Sequence, residues 1–382
     1  MHLNLAGILL IVAAAQGLLL ALLIFQKHHA LFANRYLALL MLSYTFVLVH
    51  LVLQDTGLYA SAPFLFLISG LSIASMPLHY LYTRHLIRRS ERFEPKELMH
   101  FILFALYEVL LVINIANSTL DLTRAGEVSA TETPLILRLY NITVIGLGLY
   151  YLIRSLRLIN RYERRVKDVV SALEPVQLTW LRNITLTGFA AVSLFTLEEL
   201  LLIGGLNFSN FLLSSVCFGL YVYGMGYLGL LKSEIFADRA VEKSIIIAET
   251  MESEQTSAKY ERSGLTDAAA EQHLRALLAA MEQDHLYRNS ALTLTELADH
   301  LAVSPHNLSE VINTRLGKNF YDLVNGYRLE EVKRDLTDPA KQHLKILSIA
   351  FDAGFNSKAT FNTLFKERTG MTPSEFRTAP KS

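Results

Sequence analysis

The chain has 382 residues, of which 52% are hydrophobic and 18% are charged, and its mean hydropathy is +0.32. It is too long for one small domain, and it is too apolar for the whole chain to be an ordinary soluble protein. The formal net charge is zero, which would argue against a nucleic-acid partner only if charge were evenly spread, and the two halves of the chain differ strongly in composition.

Seven segments among residues 1–231 are apolar and have about the length that crosses a bilayer as a helix. Helix is the expected form, since lipid leaves unpaired backbone groups unsatisfied. A buried soluble helix is the alternative for any single run, but the succession of such runs separated by short charged loops favours a seven-helix transmembrane bundle. The predicted spans are Leu5–Phe25, Tyr36–Leu53, Ala62–Thr83, Leu98–Ala116, Pro134–Ile153, Trp180–Ile203 and Phe208–Leu231.

The loops between these spans differ in basic charge. Thirteen Lys and Arg residues lie in the first, third and fifth loops, whereas the second, fourth and sixth loops contain only Arg124. Because cytoplasmic loops of membrane proteins carry the excess of Lys and Arg, the odd-numbered loops are predicted to be cytoplasmic and the N-terminus external. An odd number of crossings then places the C-terminal part in the cytoplasm, as expected for a multi-pass protein of the inner membrane.

Several polar side chains fall inside the predicted spans. A charge in hydrocarbon costs roughly a few kcal/mol or more unless it is paired or hydrated. Two interpretations stay open: an outward-facing cavity that binds a small molecule or an extracytoplasmic signal, or charge pairs that serve helix packing. The histidines show no ligand-like spacing, so we expect no metal and no cofactor. The candidate signal cluster comprises Glu108, Arg138, Asn141, Glu198 and Glu199.

The stretch 232–264 is polar and charged and is predicted to be a juxtamembrane linker. A passive spacer and a helix that pairs with a second subunit are both compatible with its sequence. A homodimer is therefore part of the hypothesis.

Residues 265–382 are predicted to form a compact all-helical domain that contains an internal repeat. The pattern Leu297-Ala298, Ser304, Leu308 and Gly317 recurs as Ile349-Ala350, Ser357, Phe361 and Gly370. Each copy is typical of a helix-turn-helix motif, about 293–317 and 346–370. The capping signals agree with these limits: Thr293 with Glu296, Ser304 with Pro305, and Thr372 with Glu375 are typical helix starts, and Gly317 and Gly370 are typical helix ends.

Residues 265–382 resemble the DNA-binding domain of AraC-type regulators. The resemblance rests on the first motif, on Asn325, Tyr327 and Arg328 of the following helix, on the second motif at 354–365, and on the closing run 370–377. It implies two helix-turn-helix units that are joined by a helix over 320–336. Each unit has one recognition helix, and the two recognition helices enter adjacent major-groove segments.

The resemblance, transferred position by position, gives candidate DNA contacts. Glu310 and Thr363 depart from the family, in which many members carry arginine there, so the bound sequence does not follow from them. Basic side chains near the two motifs are candidates for phosphate contacts, with a solvated charged face as the alternative for each. The candidate base-reading residues are His306, Ser309, Glu310, Lys358, Ala359, Asn362 and Thr363, and the phosphate candidates are Lys318, Arg328, Lys366 and Arg368.

These features together predict a membrane-embedded one-component transcriptional regulator that binds promoter DNA through its C-terminal domain. The alternative is a membrane receptor or transporter-like protein whose helical tail makes protein contacts. An enzyme is not expected, because the chain has neither a phosphate-cradling glycine loop nor a metalloprotease H-E-x-x-H motif.

Overall fold

The structure is a computed structural model. The regular secondary structure of the described residues is helical, apart from an isolated antiparallel β-bridge between Val170 and Thr293. The chain divides into two compact units: Met1–Asn160 with Leu178–Glu234, and Arg161–Gln177 with Ile235–Ser382. The described residues are 5–26, 31–56, 58–89, 92–117, 135–174, 176–203, 212–232 and 265–379.

Each of the seven predicted spans overlaps a helix, and residues 134 and 208–211 of the fifth and seventh predicted spans lie outside the described residues. The third and fourth spans begin as 3-10 helices, Pro63–Gly70 and Pro95–Phe101, before they continue as α-helices. By length and composition, five helical segments among the described residues could cross a membrane: Gly7–Gln26, Ala33–Leu53, Pro63–Arg88, Pro95–Ala116 and Leu213–Lys232. The α-helices are α1 (Leu5–Gln26), α2 (Ala33–Thr56), α3 (Leu71–Arg88), α4 (Ile102–Ala116), α5 (Leu135–Val166), α6 (Thr179–Ile203) and α7 (Leu212–Lys232).

Close helix contacts hold the first unit together, and small residues permit them. A Cβ atom added at Gly229 of α7 would lie 2.4 Å from Leu37 Cδ2 of α2. Small residues at such crossings let helix backbones approach closely.

A buried carboxylate joins three segments of the first unit. Glu97 accepts a hydrogen bond from the hydroxyl of Tyr36, and its Oε1 lies 2.7 Å from His85 Nε2 and 3.2 Å from Arg84 Nη1. Arg84 also donates to Glu94 through Nη2 at 2.8 Å. These bonds satisfy a buried charge and fix the 3-10 helix before α4 against α2 and α3.

The second unit contains the helix-turn-helix repeat. The predicted capping boxes at Thr293 and Thr372 are both present, and Ser304 caps its helix as predicted. Gly317 and Gly370 are left-handed, with φ of 62° and 75°. The α-helices are α8 (Asp267–Glu282), α9 (Leu294–His300), α10 (Pro305–Leu316), α11 (Phe320–Thr337), α12 (Ile346–Asp352), α13 (Lys358–Thr369) and α14 (Pro373–Thr378).

The turn inside each motif contains a small residue with positive φ. Ala302 turns the chain in the first motif with φ of 53°, and Gly354 does so in the second with φ of 99°. A Cβ atom at Gly354 would lie 2.5 Å from the carbonyl oxygen of Tyr287, so this position excludes any side chain. The second motif closes around a core formed by Leu329, Val332, Leu336, Ile349, Ala350, Ala353, Phe355, Phe361 and Phe365.

The predicted domain limits are 1–231, 232–264 and 265–382. Residues 161–177, which comprise the end of α5 and most of its connection to α6, lie within the first predicted domain but belong to the second compact unit. Residues 233–264, which comprise nearly all of the predicted linker, lie outside the described residues.

Candidate nucleic-acid interface

Two helix-turn-helix motifs, α9–α10 and α12–α13, are joined by α11. The second helix of each motif starts at a serine whose hydroxyl accepts a backbone N–H: Ser304 from Asn307 and Ser357 from Thr360. With 18 residues, α11 is about 27 Å long at 1.5 Å per residue. That length suits two recognition helices that enter major-groove segments about one DNA turn apart.

The candidate residues on α10 are half-buried, and each lies near another polar side chain of the same helix. His306 Nδ1 lies 3.9 Å from Glu310 Oε2, one helical turn away. Ser309 Oγ accepts a hydrogen bond of 3.4 Å from the amide of Asn313. The exposed part of α10 is its C-terminal half, where Arg315 forms an ion pair with Asp267 of α8. The predicted base-reading residues of the first motif therefore lie together on one turn of the helix.

The candidate residues on α13 form an exposed face. Phe361 and Phe365 of the same helix are buried in the core of the motif, which orients the opposite side of the helix towards solvent. The exposed residues are Lys358, Ala359, Asn362 and Thr363. Asn362 provides an amide that can both donate to and accept from a base edge, and Lys358 provides a cation.

Three of the four phosphate candidates are exposed: Lys318, Lys366 and Arg368. Arg368 Nη2 donates to Asp322 Oδ1 at 3.0 Å. Lys366 and Arg368 lie in the last turn of α13, where cations also compensate the negative end of the helix dipole.

Arg328 does not fit the phosphate contact that the sequence predicted, because only 1% of its surface is exposed. Its guanidinium donates to the carbonyl oxygens of Tyr287 at 2.8 Å and Asn289 at 2.7 Å, and to Asn325 Oδ1 at 3.2 Å. It also donates to the carbonyl and hydroxyl oxygens of Ser171 at 3.2 and 3.1 Å. Burial lowers the pKa of Arg328 to about 10, so the side chain remains cationic at neutral pH.

Ser171 belongs to the segment 161–177, which we call the docking loop. Ser171 N–H donates to the carbonyl of Leu292 at 3.1 Å, and Leu294 N–H donates to the carbonyl of Val169 at 2.9 Å. These two bonds flank the antiparallel bridge between Val170 and Thr293. The docking loop thus pairs with the chain at the start of the first helix-turn-helix motif, a long-range contact for which the sequence contains no local signal.

The docking loop also contacts the second recognition helix. The hydroxyl of Thr360, in the first turn of α13, donates to the carboxylate of Glu174. The backbone N–H of Tyr321, at the start of α11, donates to the carbonyl of Lys167 at 2.9 Å. One short segment therefore reaches α9, α11 and α13.

Two members of the predicted signal cluster have described side chains. Glu108 on α4 lies over Gly70, where a Cβ atom would be 1.9 Å from Glu108 Oε1. Glu198 on α6 accepts a hydrogen bond from the hydroxyl of Ser214 on α7. The side chains of Arg138, Asn141 and Glu199 lie outside the described residues.

Comparison with known proteins gives matches in the C-terminal part of the chain. Residues 297–379 match a family described as helix-turn-helix domain. Over 92 residues the chain is 35% identical to an uncharacterised HTH-type transcriptional regulator of Staphylococcus aureus (strain COL), which is 24% of this chain and 12% of that protein. Over 94 residues it is 30% identical to the arabinose operon regulatory protein of Salmonella typhimurium (strain LT2), which is 25% of this chain and 32% of that protein.

The matched region is thus about a third of the Salmonella relative and a smaller part of the staphylococcal one. No solved structure matches the chain. The match, the exposed face of α13 and the two capped motifs agree with one another, and they support the predicted AraC-type resemblance. The C-terminal unit therefore carries a helix-turn-helix domain of the kind found in DNA-binding transcriptional regulators.

Proposed function

We propose that this chain is a membrane-embedded one-component transcriptional regulator that binds promoter DNA sequence-specifically through its two helix-turn-helix motifs. The observation that carries the proposal is the exposed face of α13, with Lys358, Ala359, Asn362 and Thr363 outward above a core of phenylalanines. Such a face has the donors and acceptors that read base edges in the major groove. Lys318, Lys366 and Arg368 are the proposed phosphate contacts.

The first unit supports the membrane part of the proposal. Large apolar side chains are exposed along both α1 and α4, among them Val12 at 59% and Val109 at 57%. In water each such side chain would forgo roughly 1.5 to 3 kcal/mol of burial, whereas lipid solvates it. We propose that α1 to α7 all span the inner membrane, with the N-terminus outside and the helix-turn-helix domain in the cytoplasm.

The docking loop gives independent support for that topology. The charge rule places the segment between the fifth and sixth predicted spans in the cytoplasm, because it carries six Lys and Arg residues from Arg154 to Lys167. The docking loop is part of this segment and shares a compact unit with the helix-turn-helix domain, and two segments that pack together lie on the same side of a membrane.

The signal is proposed to act on the first unit through polar side chains such as Glu108, Arg138 and Glu198. The ligand would be a small molecule or an extracytoplasmic signal that binds one arrangement of the helices more tightly than another, since equal affinity for both would shift nothing. Pairing of two subunits through the segment 232–264 is part of the same proposal.

The DNA-binding role is tested with the full chain in lipid nanodiscs, after its preferred sequence has been selected from random duplexes. Asn362→Ala should weaken binding to the selected sequence by about 1 to 3 kcal/mol and relax preference at one base. Lys366→Ala should weaken binding to selected and random duplexes alike and reduce the salt dependence. Lys333→Ala is the matched control, because that ammonium pairs with Glu330 on α11 at 2.8 Å.

If the wild-type chain enriches no sequence and binds duplex DNA no better than a nanodisc without protein, the proposed function is wrong. The receptor or transporter-like alternative, with a tail that contacts proteins, would then be the better interpretation.

A further inference from the structure

The docking loop is more buried than its composition would suggest. Between Arg161 and Lys167 it is rich in basic residues, yet Val166, Val169, Val170 and Ser171 are each at most 2% exposed. A loop that merely connects two membrane helices would expose its backbone to water. This one instead places its backbone and its apolar side chains against other parts of the chain.

Ser171 is the centre of the contact. Its carbonyl oxygen accepts from Asn325 Nδ2 at 3.1 Å and from Arg328 Nη1 at 3.2 Å. Its hydroxyl donates to the carbonyl of Leu292 at 2.7 Å and accepts from Arg328 Nη2 at 3.1 Å. Because Arg328 is a buried cation, loss of the Ser171 acceptors must be compensated by water or by movement of the guanidinium. Release of the loop would therefore require a rearrangement around Arg328.

Glu174 gives the docked state a consequence for DNA. Its carboxylate accepts from Thr360, the third residue of α13. The N-terminus of a helix attracts anions through its unpaired N–H groups and its dipole, and in a recognition helix the DNA phosphates supply that anion. In the docked state, the carboxylate of Glu174 occupies this region and repels a phosphate that approaches it.

We propose that the docking loop is an autoinhibitory element: when it is docked, Glu174 lowers the affinity of the second recognition helix for DNA, and release of the loop restores it. The inference rests on the proposed function and names how that function is regulated. The loop continues directly into α5 and α6, so a change at the ends of these two helices acts on it without any further partner.

A reversible cross-link tests the proposal in a single protein. Val170 and Thr293 are directly opposite in an antiparallel pair without mutual hydrogen bonds, where Cα atoms are about 4.5 Å apart, within the range that a disulfide bridges. Val170→Cys with Thr293→Cys is made in a Cys217→Ala background, because Cys217 is the chain's one native thiol. The full chain is reconstituted in nanodiscs and its affinity for the selected duplex is measured oxidised and then reduced.

We expect the oxidised form to bind DNA about tenfold more weakly than the same sample after reduction, a typical size for coupling between sites. The two single-cysteine variants serve as matched controls and should show no redox effect. Equal affinity of the locked and reduced forms would overturn the proposal, while DNA binding by the reduced form would leave the proposed function intact. Absence of DNA binding in both forms and in the wild-type chain would instead count against the proposed function.

A second variant identifies the inhibitory group. Glu174→Gln keeps a hydrogen-bond acceptor for Thr360 but removes the charge, so it should raise the affinity of the locked form severalfold, most strongly at low salt. Glu271→Gln on α8 is the matched control, an exposed carboxylate that pairs with Arg275 of its own helix. If Glu174→Gln leaves the locked form unchanged, or acts no more than Glu271→Gln, the assignment of Glu174 is refuted.

Discussion

Replacement of Arg328 by methionine separates two roles for this residue, a phosphate contact and a buried support of the docking loop. The side chain makes five hydrogen bonds, to Tyr287, Asn289, Asn325 and twice to Ser171. Arg328→Met keeps much of the apolar volume but removes the guanidinium that donates to these acceptors. A buried acceptor left without a donor costs about 1 to 3 kcal/mol.

This cost in free energy predicts a change in the rate of amide hydrogen exchange. Three amides donate across the contact between the docking loop and the rest of the second unit: Ser171, Leu294 and Tyr321. If about 3 kcal/mol of the cost falls on the docked state, exchange at these amides should accelerate by about a hundredfold, since each 1.36 kcal/mol is a factor of ten. The assay is hydrogen-exchange mass spectrometry of the full chain in nanodiscs, with peptides from α13 as the internal reference.

Arg315→Met is the control for the loss of an arginine. That side chain is 37% exposed and its partner Asp267 is 96% exposed, so the pair contributes at most about 1 kcal/mol. The refuting result for Arg328→Met is unchanged exchange at the three amides together with weaker binding to all DNA sequences. That outcome would mean that Arg328 contacts a phosphate, as the sequence suggested, and that its burial has little energetic effect.

Three further predictions concern topology, signalling and pH. Reporter fusions should behave as extracytoplasmic in the second, fourth and sixth loops and as cytoplasmic in the third and fifth, and any inverted pair would contradict the charge rule. The fusion points are Asp55, Arg124 and Asn207 for the first group, and Glu91 and Lys167 for the second. Arg138→Gln or Glu198→Gln should change promoter output at unchanged protein abundance and membrane insertion; if both leave output unchanged, or only lower abundance, these side chains serve packing. Burial raises the pKa of Asp168 in the docking loop to about 6 from an ordinary value of 3.8, so docking is favoured below about pH 4 and loses that contribution as pH rises through about 6. Exchange at the Ser171 amide should therefore slow from pH 7 to pH 5 after correction for intrinsic rates, and Asp168→Asn should flatten this change.

The helix boundaries of the second unit could be predicted because their causes are local. A capping side chain acts within three residues, as in Thr293 with Glu296, so the signal and its effect share one short window. The same holds for Gly317, where a left-handed residue ends a helix.

The length of α5 shows where apolar content stops being informative. The predicted span ended at Ile153, whereas the helix continues to Val166. Arg, Leu and Glu in this stretch are good helix formers, so the backbone stays helical where the sequence no longer suits lipid. Hydropathy locates the part of a helix that lies in a membrane and gives no signal for its polar continuation.

The role of Arg328 could not be predicted because its partner Ser171 is 157 residues away in the sequence. An arginine near a DNA-binding motif suggests a phosphate contact, and nothing local distinguishes an exposed guanidinium from one that a distant loop covers. The same holds for Asn325. Its amide donates to the carbonyl of Tyr321 in its own helix, which is a local contact, and to the carbonyl of Ser171 in the docking loop, which is distant in the sequence.

An isolated C-terminal fragment would lack the docking loop, so its stability and its DNA affinity would differ from those of the full chain. A fragment of 265–382 lacks Ser171, so two donors of Arg328 lose their acceptors and the backbone groups of Leu292 and Leu294 that pair with the loop face water. It also lacks Glu174, so the first turn of α13 is open to a phosphate. If the docking loop inhibits, such a fragment combines lower stability with the DNA affinity of the released state. Regulation would then be visible only in the full chain, where α5 and α6 hold both ends of the loop.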